Sequence, residues 1–571
     1  MNRYNNYHKH THYSNLRTLD TITKPEEYMQ RAVELGHTTY FTGEHGFQGN
    51  IYEAQTLCEK YNLKPIYSVE AYYVDDIEDK SDRKSYHIIL VAMTEKARYE
   101  INKIMSIANT EGFYYKPRIG LKELLSLTPT DTVVTTACVA SKISDLINYD
   151  ESGNFIEYAK PDEQQKFLND FLFPLMKHFK NNLYLEVQSH KTEKQFHHNR
   201  VILALNKEYK IPLIHANDSH YINDGDSYYR DLFLQAKGIF YEEENGFILD
   251  YPDYDTILER YKAQGVLTPE QAKEALDNTL IFDKAEACYT DKEFKIPKVP
   301  NEFIHEELGD GFSNEDSDKV LKEIIKRSWD KKKKTVNKEK IKEYKEAIYY
   351  ETDIVQKCGM ADYFILDSMV VNRAVNKYGA VLTRSGRGSA VSFLINNLLG
   401  LTEVDRIKAP TKLYPTRFMS AERILSSRSL PDIDLNFANV EPVIQATKDI
   451  LGEDGIYYMI AYKPMQRSSA FRLWCKARGY NIDEYDEIAK LFAEKGNTDE
   501  DIIANHSKWV VEIENSKRFR GVIESVAPSP CSFLLSNNPI SEQVGLIKVG
   551  EQICCCLDGY NCDVFKFLKN D

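Results

Sequence analysis

The sequence predicts an α/β protein of several structural units, the first of which is a barrel or a strongly curved sheet. At roughly 100–200 residues per unit, 571 residues correspond to about three to five units. Apolar residues make up 42% and charged residues 28%, so the chain can bury large cores. Over residues 1–220, apolar strand-like runs alternate with amphipathic helical segments, which is typical of βα units and a largely parallel sheet.

The first helix is predicted from Pro25 to Leu35, because proline suits a first helical turn and Gly36 suits the position after a helix. Strand-like runs are predicted at 38–42, 65–74, 87–93, 132–136, 183–187 and 212–216. With so many units, a barrel or curved sheet is favoured over a simple doubly wound sheet.

A boundary is predicted near the proline-rich residues 297–300, followed by a lysine-rich helical region at about 318–357. Its block Lys331–Lys334 is interpreted as a solvated face, with DNA contact as the alternative. The formal charge of −14 argues against a simple nucleic-acid-binding module. Residues 361–480, however, carry 16 Lys and Arg against 11 Asp and Glu, so a nucleic-acid enzyme with locally concentrated basic residues stays open.

No apolar run approaches the roughly 18 residues that span a bilayer, and the polar start lacks a signal-peptide core, so we expect a cytoplasmic protein without membrane contact. Ten cysteines are too few for a disulfide scaffold. Cys554, Cys555, Cys556 and Cys562 cluster near the end, and we interpret them as small apolar strand residues. A zinc knuckle is disfavoured, because three consecutive residues alternate between the faces of a strand.

Twelve of the 14 histidines precede residue 221, in short clusters at the ends of strand-like runs, where a barrel gathers its site residues. In His8-Lys-His10-Thr-His12, alternate residues of an extended chain share a face and can converge on a metal. The remaining candidates are Glu44, His45, Glu70, His87, Cys138, His190, Asp218 and His220. Imidazole, carboxylate and one thiol suit zinc or manganese better than magnesium. A structural metal site that only stabilises the barrel is the alternative.

Two further motifs lie in the second half. Residues 384–389 read Arg-Ser-Gly-Arg-Gly-Ser before an apolar helical run, and such glycines let backbone N–H groups approach a phosphate. Asp432 and Asp434 alternate on a predicted strand, so both carboxylates share one face, as two-metal phosphoryl transfer requires.

The order of the histidines and carboxylates resembles the polymerase-and-histidinol-phosphatase (PHP) domain that opens bacterial replicative DNA polymerase III α subunits. Residues 111–118 and 217–221 add to this resemblance. It implies a distorted (β/α) barrel whose metal ligands are His10, His12, Glu44, His45, Glu70, His87, Cys138, His190, Asp218 and His220, binding Zn²⁺ or Mn²⁺. Glu44 stands where the family usually has Asp.

The glycine loop and the acidic pair resemble the palm of the C-family polymerases, a polymerase-β-like nucleotidyltransferase fold of α+β type with a helical thumb insertion. The resemblance implies two Mg²⁺ ions on Asp432, Asp434 and a third aspartate in a Lys-x-Asp pattern. Lys569-Asn-Asp571 fits that pattern, with Asp563 as the alternative. The triphosphate would rest on Gly386, Arg387, Gly388 and Ser389. Two positions depart from the family: Ser468 replaces a usual Lys, and Ser529 a usual His.

The resemblance implies a PHP domain over 1–285, a first palm segment over 286–437, a thumb over 438–510 and a second palm segment over 511–571. It covers only the first half of a typical family member. We therefore expect a fragment or one half of a split polymerase, needing a C-terminal partner half that would also provide the sliding-clamp contact.

The implied activity is template-directed addition of dNTPs to a primer–template DNA, with metal-dependent 3′→5′ proofreading. A stand-alone metal-dependent phosphoesterase with a vestigial palm is one alternative. A non-catalytic DNA-holding or partner-docking piece is the other.

Overall fold

A computed structural model describes residues 3–241, 244–383 and 387–570. It divides into two compact units. The first unit comprises residues 1–289, 462–527 and 545–551, and the second comprises 290–461, 528–544 and 552–571. The division into PHP, palm and thumb segments stays a prediction.

The strands, in chain order, are β1 Thr39–Phe41, β2 Glu44–His45, β3 Lys64–Ile66, β4 Ser68–Tyr73, β5 Tyr86–Ala92, β6 Arg118–Ile119, β7 Thr132–Thr135, β8 Ile147–Tyr149, β9 Phe155–Tyr158, β10 Leu183–Val187, β11 Leu213–His215, β12 Ile456–Pro464, β13 Ile523–Leu535, β14 Leu546–Val549, β15 Gln552–Asp558 and β16 Leu568–Asn570.

The α-helices are α1 Pro25–Glu34, α2 Ile51–Tyr61, α3 Glu95–Thr110, α4 Leu121–Leu124, α5 Pro161–Phe167, α6 Phe173–Phe179, α7 Glu193–Tyr209, α8 Ser227–Ala236, α9 Tyr254–Gln264, α10 Pro269–Asn278, α11 Asn301–Leu308, α12 Ser317–Lys332, α13 Ile341–Lys357, α14 Ala361–Tyr378, α15 Leu394–Leu398, α16 Ala421–Ser427, α17 Glu441–Leu451, α18 Arg467–Ala477, α19 Ile482–Leu491, α20 Asp499–Asn505, α21 Val510–Ser516, α22 Ile540–Gln543 and α23 Gly559–Val564.

The first unit is built on a seven-stranded sheet of order β11-β10-β7-β5-β4-β2, with β6 also paired to β4, while β1 and β3 form a separate parallel pair. Strand β10 runs parallel to β7 and β11, as expected. The pairs β2–β4 and β4–β6 are parallel too, so the sheet is largely parallel, as predicted. The exception is β5, which runs antiparallel to β4 and β7 and makes the sheet mixed. The chain between β4 and β5 is a short connection without a helix, and such a connection returns the chain antiparallel.

Two central strands of this sheet are buried at every residue, and each has a carboxylate among its apolar side chains. Strand β4 contains Glu70 and strand β10 contains Glu186. A buried charge costs several kcal/mol unless it is paired or hydrogen-bonded. These two glutamates therefore need specific partners inside the first unit.

A helical cluster completes the first unit. Helices α18, α19 and α21 pack with α8 around a core that includes Phe233, Phe471, Trp474, Trp509 and Phe519. Amphipathic helices of this length are stable because they bury their apolar faces against one another. Residues 462–510 of the predicted thumb thus share an apolar core with α8 and with residues 510–522.

The second unit combines helices α12, α13, α14 and α17 with strands in the order β15-β12-β13-β16. Its core includes Phe364, Phe393, Phe418 and Ile433. Strand β16 pairs antiparallel with β13 through Phe533 and Asn570. Cys554, Cys555 and Cys556 are all buried on β15, in keeping with their interpretation as apolar strand residues.

The lysine block after α12 lies mostly on the surface, where Lys333 and Lys334 are exposed. Lys332 instead forms an ion pair with Asp405, at 2.8 Å. Within the part of the chain that the structure describes, no helix has both the length and the apolar character needed to cross a membrane.

Candidate functional sites

The candidate metal centre of the first unit begins at the extended N-terminal segment. Lys9 forms an isolated parallel β-bridge with Ser219. In this bridge the backbone N–H of His10 donates to Ser219 O, and the N–H of Ser219 donates to His8 O. Because side chains alternate along an extended chain, His8 and His10 point one way and Lys9 the other. The Lys9 ammonium lies 4.0 Å from the centre of the Tyr40 ring.

The sheet brings other polar side chains to this segment. Cys138, His190 and Asp218 follow β7, β10 and β11, whose carboxyl ends share one edge. His87 stands at the beginning of β5, but β5 is antiparallel to its neighbours, so its beginning lies at the same edge. In β4, Glu70 is in register with His45 of β2.

Imidazole nitrogens and carboxylate oxygens meet here at short distances. Asp218 Oδ1 lies 3.1 Å from His8 Nε2 and 3.2 Å from His10 Nε2. Glu70 lies 2.6 Å from His45 Nδ1 through one oxygen and 2.7 Å from His87 Nδ1 through the other. The rings of His10 and His45 stack at 3.9 Å.

A second carboxylate group adjoins the first. Asp20 Oδ2 lies 2.6 Å from His220 Nε2, and the other Asp20 oxygen accepts a hydrogen bond from Arg230 at 2.6 Å. Arg230 also pairs with Glu244 at 2.6 Å. Among the described residues, four overlapping triads have ligand atoms within 4.8 Å of one another: His8–His10–Asp218, His10–His45–His220, His45–Glu70–His87 and Asp20–His220–Glu244.

The hydrogen-bonding state of these atoms fits a metal. Although they are buried, the following atoms have no hydrogen-bond partner: His8 Nε2, His10 Nε2, Asp20 Oδ2, His45 Nδ1, Glu70 Oε1 and Oε2, His190 Nε2 and Asp218 Oδ1. His12 Nε2 is in the same state but belongs to none of the triads. Buried polar atoms are nearly always satisfied in native proteins. Ligand atoms around a shared cation are the exception, because the cation takes the place of the protons.

The histidines of the group differ in their electrostatics. Burial lowers the pKa values of His8, His45 and His220, but neighbouring acidic groups outweigh it and the net pKa values are raised. Burial, followed by the neighbouring His45, lowers the pKa of His10 to about 3, so this imidazole is neutral and offers a lone pair. Burial raises the pKa of Asp218, but His8, His10 and His220 together outweigh it, and the net pKa is well below the ordinary value. Neutral imidazoles and ionised carboxylates are the forms that bind metals.

The structure gathers most of the predicted ligands. His10, His45, Glu70, His87, Asp218 and His220 lie in the triads. Cys138 Sγ lies 3.7 Å from His87 Nδ1, and burial raises the pKa of this thiol. His190 is buried and stacks on Phe247 at 4.6 Å.

Two predicted ligands lie outside the triads. His12 Nδ1 accepts a hydrogen bond from the backbone N–H of Ile523 at 3.3 Å. The Glu44 carboxylate is fully used as an acceptor for Thr11, Ser14 and Asn50. Ser14 Oγ in turn lies 3.1 Å from His10 Nδ1, so Glu44 orients a histidine through this hydroxyl.

His8 and Asp20 also belong to the triads, although the sequence does not predict them as metal ligands. His8, His10 and His12 alternate along the chain, so all three can share one face of an extended segment. The spacing therefore does not decide whether His10 acts with His8 or with His12. The pairing of Lys9 with Ser219 places His8 and His10 in the group and leaves His12 beyond it. Asp20 has no local spacing signal, since it approaches His220 only through the fold.

The second candidate site surrounds Asp432 and Asp434. Ile433 between them is buried, and its N–H donates to the Tyr363 hydroxyl at 3.2 Å. Asp432 is 68% exposed. Within the described residues the predicted strand is absent here, because the segment makes only one isolated bridge, between Leu382 and Phe437, and no continuous ladder of backbone hydrogen bonds.

The glycine loop reaches this acidic segment directly. Gly388 has a φ of +66°, and a Cβ placed on it would lie 1.7 Å from Asp434 Oδ2. Only glycine permits this approach. Arg387 and Asp434 line a cavity of about 240 Å³, together with Phe437, Val443 and Phe533. Gly386 lies outside the described residues, while Ser389 precedes the short helical turn Ala390–Ser392.

Strand β16 approaches the same acids. Lys569 Nζ lies 3.5 Å from Asp432 Oδ1 and 4.0 Å from Asp563 Oδ1. The Asn570 amide donates to Asp367 Oδ1 at 2.8 Å. Asp571 lies outside the described residues. The strand that leads to it is thus anchored beside Asp432.

Comparison with known proteins finds two family models that match this chain. Residues 6–190 match the model of the PHP domain, and residues 320–571 match that of the bacterial DNA polymerase III alpha NTPase domain. The chain therefore joins a PHP domain to a polymerase-type domain within a mixed α/β protein. More particularly, the chain is similar to the N-terminal region of the DNA polymerase III alpha subunits.

The relatives are full-length polymerase subunits. The DNA polymerase III subunit alpha of Aquifex aeolicus is 29% identical over 556 residues, which cover 90% of this chain and 44% of that protein. The subunit of Campylobacter jejuni is 26% identical, over 96% of this chain and 46% of that protein. The subunit of Borreliella burgdorferi is 26% identical, over 86% of this chain and 40% of that protein. The chain thus spans less than half the length of these curated relatives.

The placement of the N-terminal histidines gives a direct test. His8→Ala is expected to weaken Mn²⁺ or Zn²⁺ binding by at least about tenfold, because it removes a nitrogen that lies 3.1 Å from Asp218 Oδ1 and 3.3 Å from Glu70 Oε1. His12→Ala, the matched control, is expected to change it by less than about threefold. Isothermal titration of the metal-free chain measures both. Equal losses in the two variants would contradict this placement.

The buried Asp367 gives a pH test in the second unit. Burial raises its pKa from 3.8 to about 7, partly offset by the hydrogen bond from Asn570. The folded state therefore retains a proton that the unfolded state releases, so stability declines as pH rises from about 4 to about 7. Asp367→Asn is expected to flatten that decline, by an amount on the order of a few kcal/mol.

Chemical denaturation between about pH 5 and pH 8 measures this effect. Asp432→Asn, an exposed carboxylate, is the control and should follow the unmodified chain. Parallel pH profiles for Asp367→Asn and the unmodified chain would contradict the assignment.

Proposed function

We propose that the first unit is a metal-dependent phosphodiesterase that removes nucleotides from DNA 3′ ends, a 3′→5′ proofreading exonuclease. The observation that supports this best is the set of buried imidazole and carboxylate atoms without hydrogen-bond partners. So many unsatisfied atoms within one group would be costly in a purely structural core. We further propose that residues 1–285 of this unit form a distorted (β/α) barrel of the PHP type.

The residues that would hold the metals are the triads and their neighbours: His8, His10, Asp20, His45, Glu70, His87, Cys138, His190, Asp218 and His220. Their mixture of imidazole, carboxylate and thiol favours Zn²⁺ or Mn²⁺. Bound there, the ions would lower the pKa of a water and stabilise negative charge on a phosphate.

The chain's own residues prepare this site. Ser14 and Glu44 hold the Nδ1 side of His10, which leaves its Nε2 facing Asp218 and Glu70. Arg230 balances the charge of Asp20 on the side away from His220. Fixed ligand orientation of this kind is what raises metal affinity and positions a substrate phosphate.

For the second unit we propose a polymerase-β-like palm that adds dNTPs to a primer–template DNA. Asp432, Asp434 and Asp571 would hold two Mg²⁺ ions, and Gly386, Arg387, Gly388 and Ser389 would hold the triphosphate. The close approach of Gly388 to Asp434 supports this, since it puts a phosphate-binding backbone beside a metal-binding carboxylate. Helices of residues 438–510 would form the thumb.

Primer extension is proposed to need further segments equivalent to the remainder of the relatives. These segments would complete the nucleotide site and provide the sliding-clamp contact. The cavity at Arg387 and Asp434 is formed within the second unit alone, so we expect nucleotide binding to be measurable separately from complete extension.

The nuclease proposal is tested by release of a labelled 3′-terminal nucleotide from single-stranded and mispaired DNA with added Mn²⁺ or Zn²⁺. Asp218→Asn is expected to reduce release at least about a hundredfold, because loss of a shared ligand costs several kcal/mol of charge stabilisation. Asp432→Asn, in the second unit, should leave release unchanged. A preference for small phosphate esters over DNA ends would contradict the proofreading assignment.

The palm proposal is tested by primer extension after co-expression with segments equivalent to the part of the relatives that this chain does not cover. Asp432→Asn or Asp434→Asn is expected to lower the rate of primer extension at least about a thousandfold, while nucleotide release by the first unit persists. Ser468→Ala provides a control away from the acidic pair. Joint loss of extension and release in the aspartate variants would show that the sites are not separable.

A further inference from the structure

Glu186 is a buried carboxylate next to the metal group, but its environment differs from that of Glu70. The side chain of Glu186 is fully buried on β10, and both of its oxygens are satisfied. Oε1 accepts from Gln188 Nε2 at 2.9 Å, and Oε2 accepts from Tyr7 at 2.7 Å and Thr135 at 3.1 Å. An acceptor so completely occupied has no lone pair left for a cation.

The remaining contact of Glu186 is with His8. Its Oε1 lies 2.8 Å from His8 Nδ1, a hydrogen bond in which the imidazole donates. The opposite nitrogen, Nε2, is buried, has no hydrogen-bond partner, and lies 3.1 Å from Asp218 Oδ1 and 3.3 Å from Glu70 Oε1. A proton fixed on Nδ1 leaves the lone pair of His8 on Nε2.

We propose that Glu186 is a positioning residue that fixes the tautomer and ring orientation of His8, so that His8 Nε2 can bind a metal. This inference rests on the proposed metal centre and deepens it. The three other hydrogen bonds to Glu186 hold the carboxylate in place, and its backbone N–H donates to Thr136 Oγ1 at 3.0 Å. The Glu186–His8 pair therefore mirrors, by direct contact, what Glu44 does to His10 through Ser14.

Glu186→Gln is the informative substitution, because it keeps the shape but places an amide N–H₂ where an acceptor stood. An amide donor facing Nδ1 would favour the other tautomer of His8, with its proton on Nε2. The expected result is a 10- to 100-fold loss of Mn²⁺ or Zn²⁺ affinity, typical of the removal of an outer carboxylate. Titration of the metal-free full chain measures it without any DNA.

A double-mutant cycle separates positioning from a general structural effect. In a His8→Asn background, Glu186→Gln should change metal affinity by less than about twofold, because the residue it acts through is gone. Glu123→Gln is the matched control, since Glu123 is also buried in the first unit but accepts from the backbone N–H of Gly120. It should leave affinity unchanged.

If Glu186→Gln does not fold, Glu186→Asp keeps the charge but withdraws the carboxylate from Nδ1, and it should also lose at least about tenfold. Unchanged affinity in a folded Glu186 variant, or equal losses with and without His8, would overturn the inference. A chain that binds no Mn²⁺ or Zn²⁺ would instead overturn the proposed function. Metal binding without nucleotide release would overturn the nuclease and leave the role of Glu186 standing.

Discussion

Buried negative charge is the constraint around which the first unit is organised. Glu70 and Glu186 occupy strands that are otherwise apolar and inaccessible to water. Each ionised carboxylate in such a place must find donors or cations, and the fold provides them in two different ways. Glu186 receives a full set of hydrogen bonds, whereas Glu70 is met by imidazole nitrogens that do not donate to it.

This contrast divides the polar core into an inner and an outer layer. The inner atoms belong to Glu70, Asp218 and the histidines around them, and they lack partners within the chain. The outer groups are Glu44, Ser14, Arg230 and Glu186, and they hold the inner side chains in place. Such a division is what a protein needs to present several ligands to an ion without collapse of the ligands onto one another.

Much of this could be predicted from the sequence, for definite physical reasons. Helix α1 and strand β10 follow from a proline at a helix start and a continuous apolar run, which are local signals. The direction of β5 could not be predicted, because it depends on the path of a helix-free connection. The pairing of Lys9 with Ser219 decides between His8 and His12, and it joins residues about 200 positions apart, beyond the reach of any spacing rule. The family resemblance predicts Glu44 as a metal ligand. Only the fold shows that its oxygens already accept hydrogen bonds from Thr11, Ser14 and Asn50.

The contact between Gly388 and Asp434 has a consequence for how this protein can vary. Gly388 is exposed to solvent, and an exposed position ordinarily accepts most side chains at little cost in stability. Here even a single methyl group would occupy the space of a carboxylate oxygen on the neighbouring segment. A substitution in the glycine loop would therefore push against the Asp434 carboxylate, although the substituted position is on the surface. In a library of variants, position 388 would be as intolerant as a residue in the core.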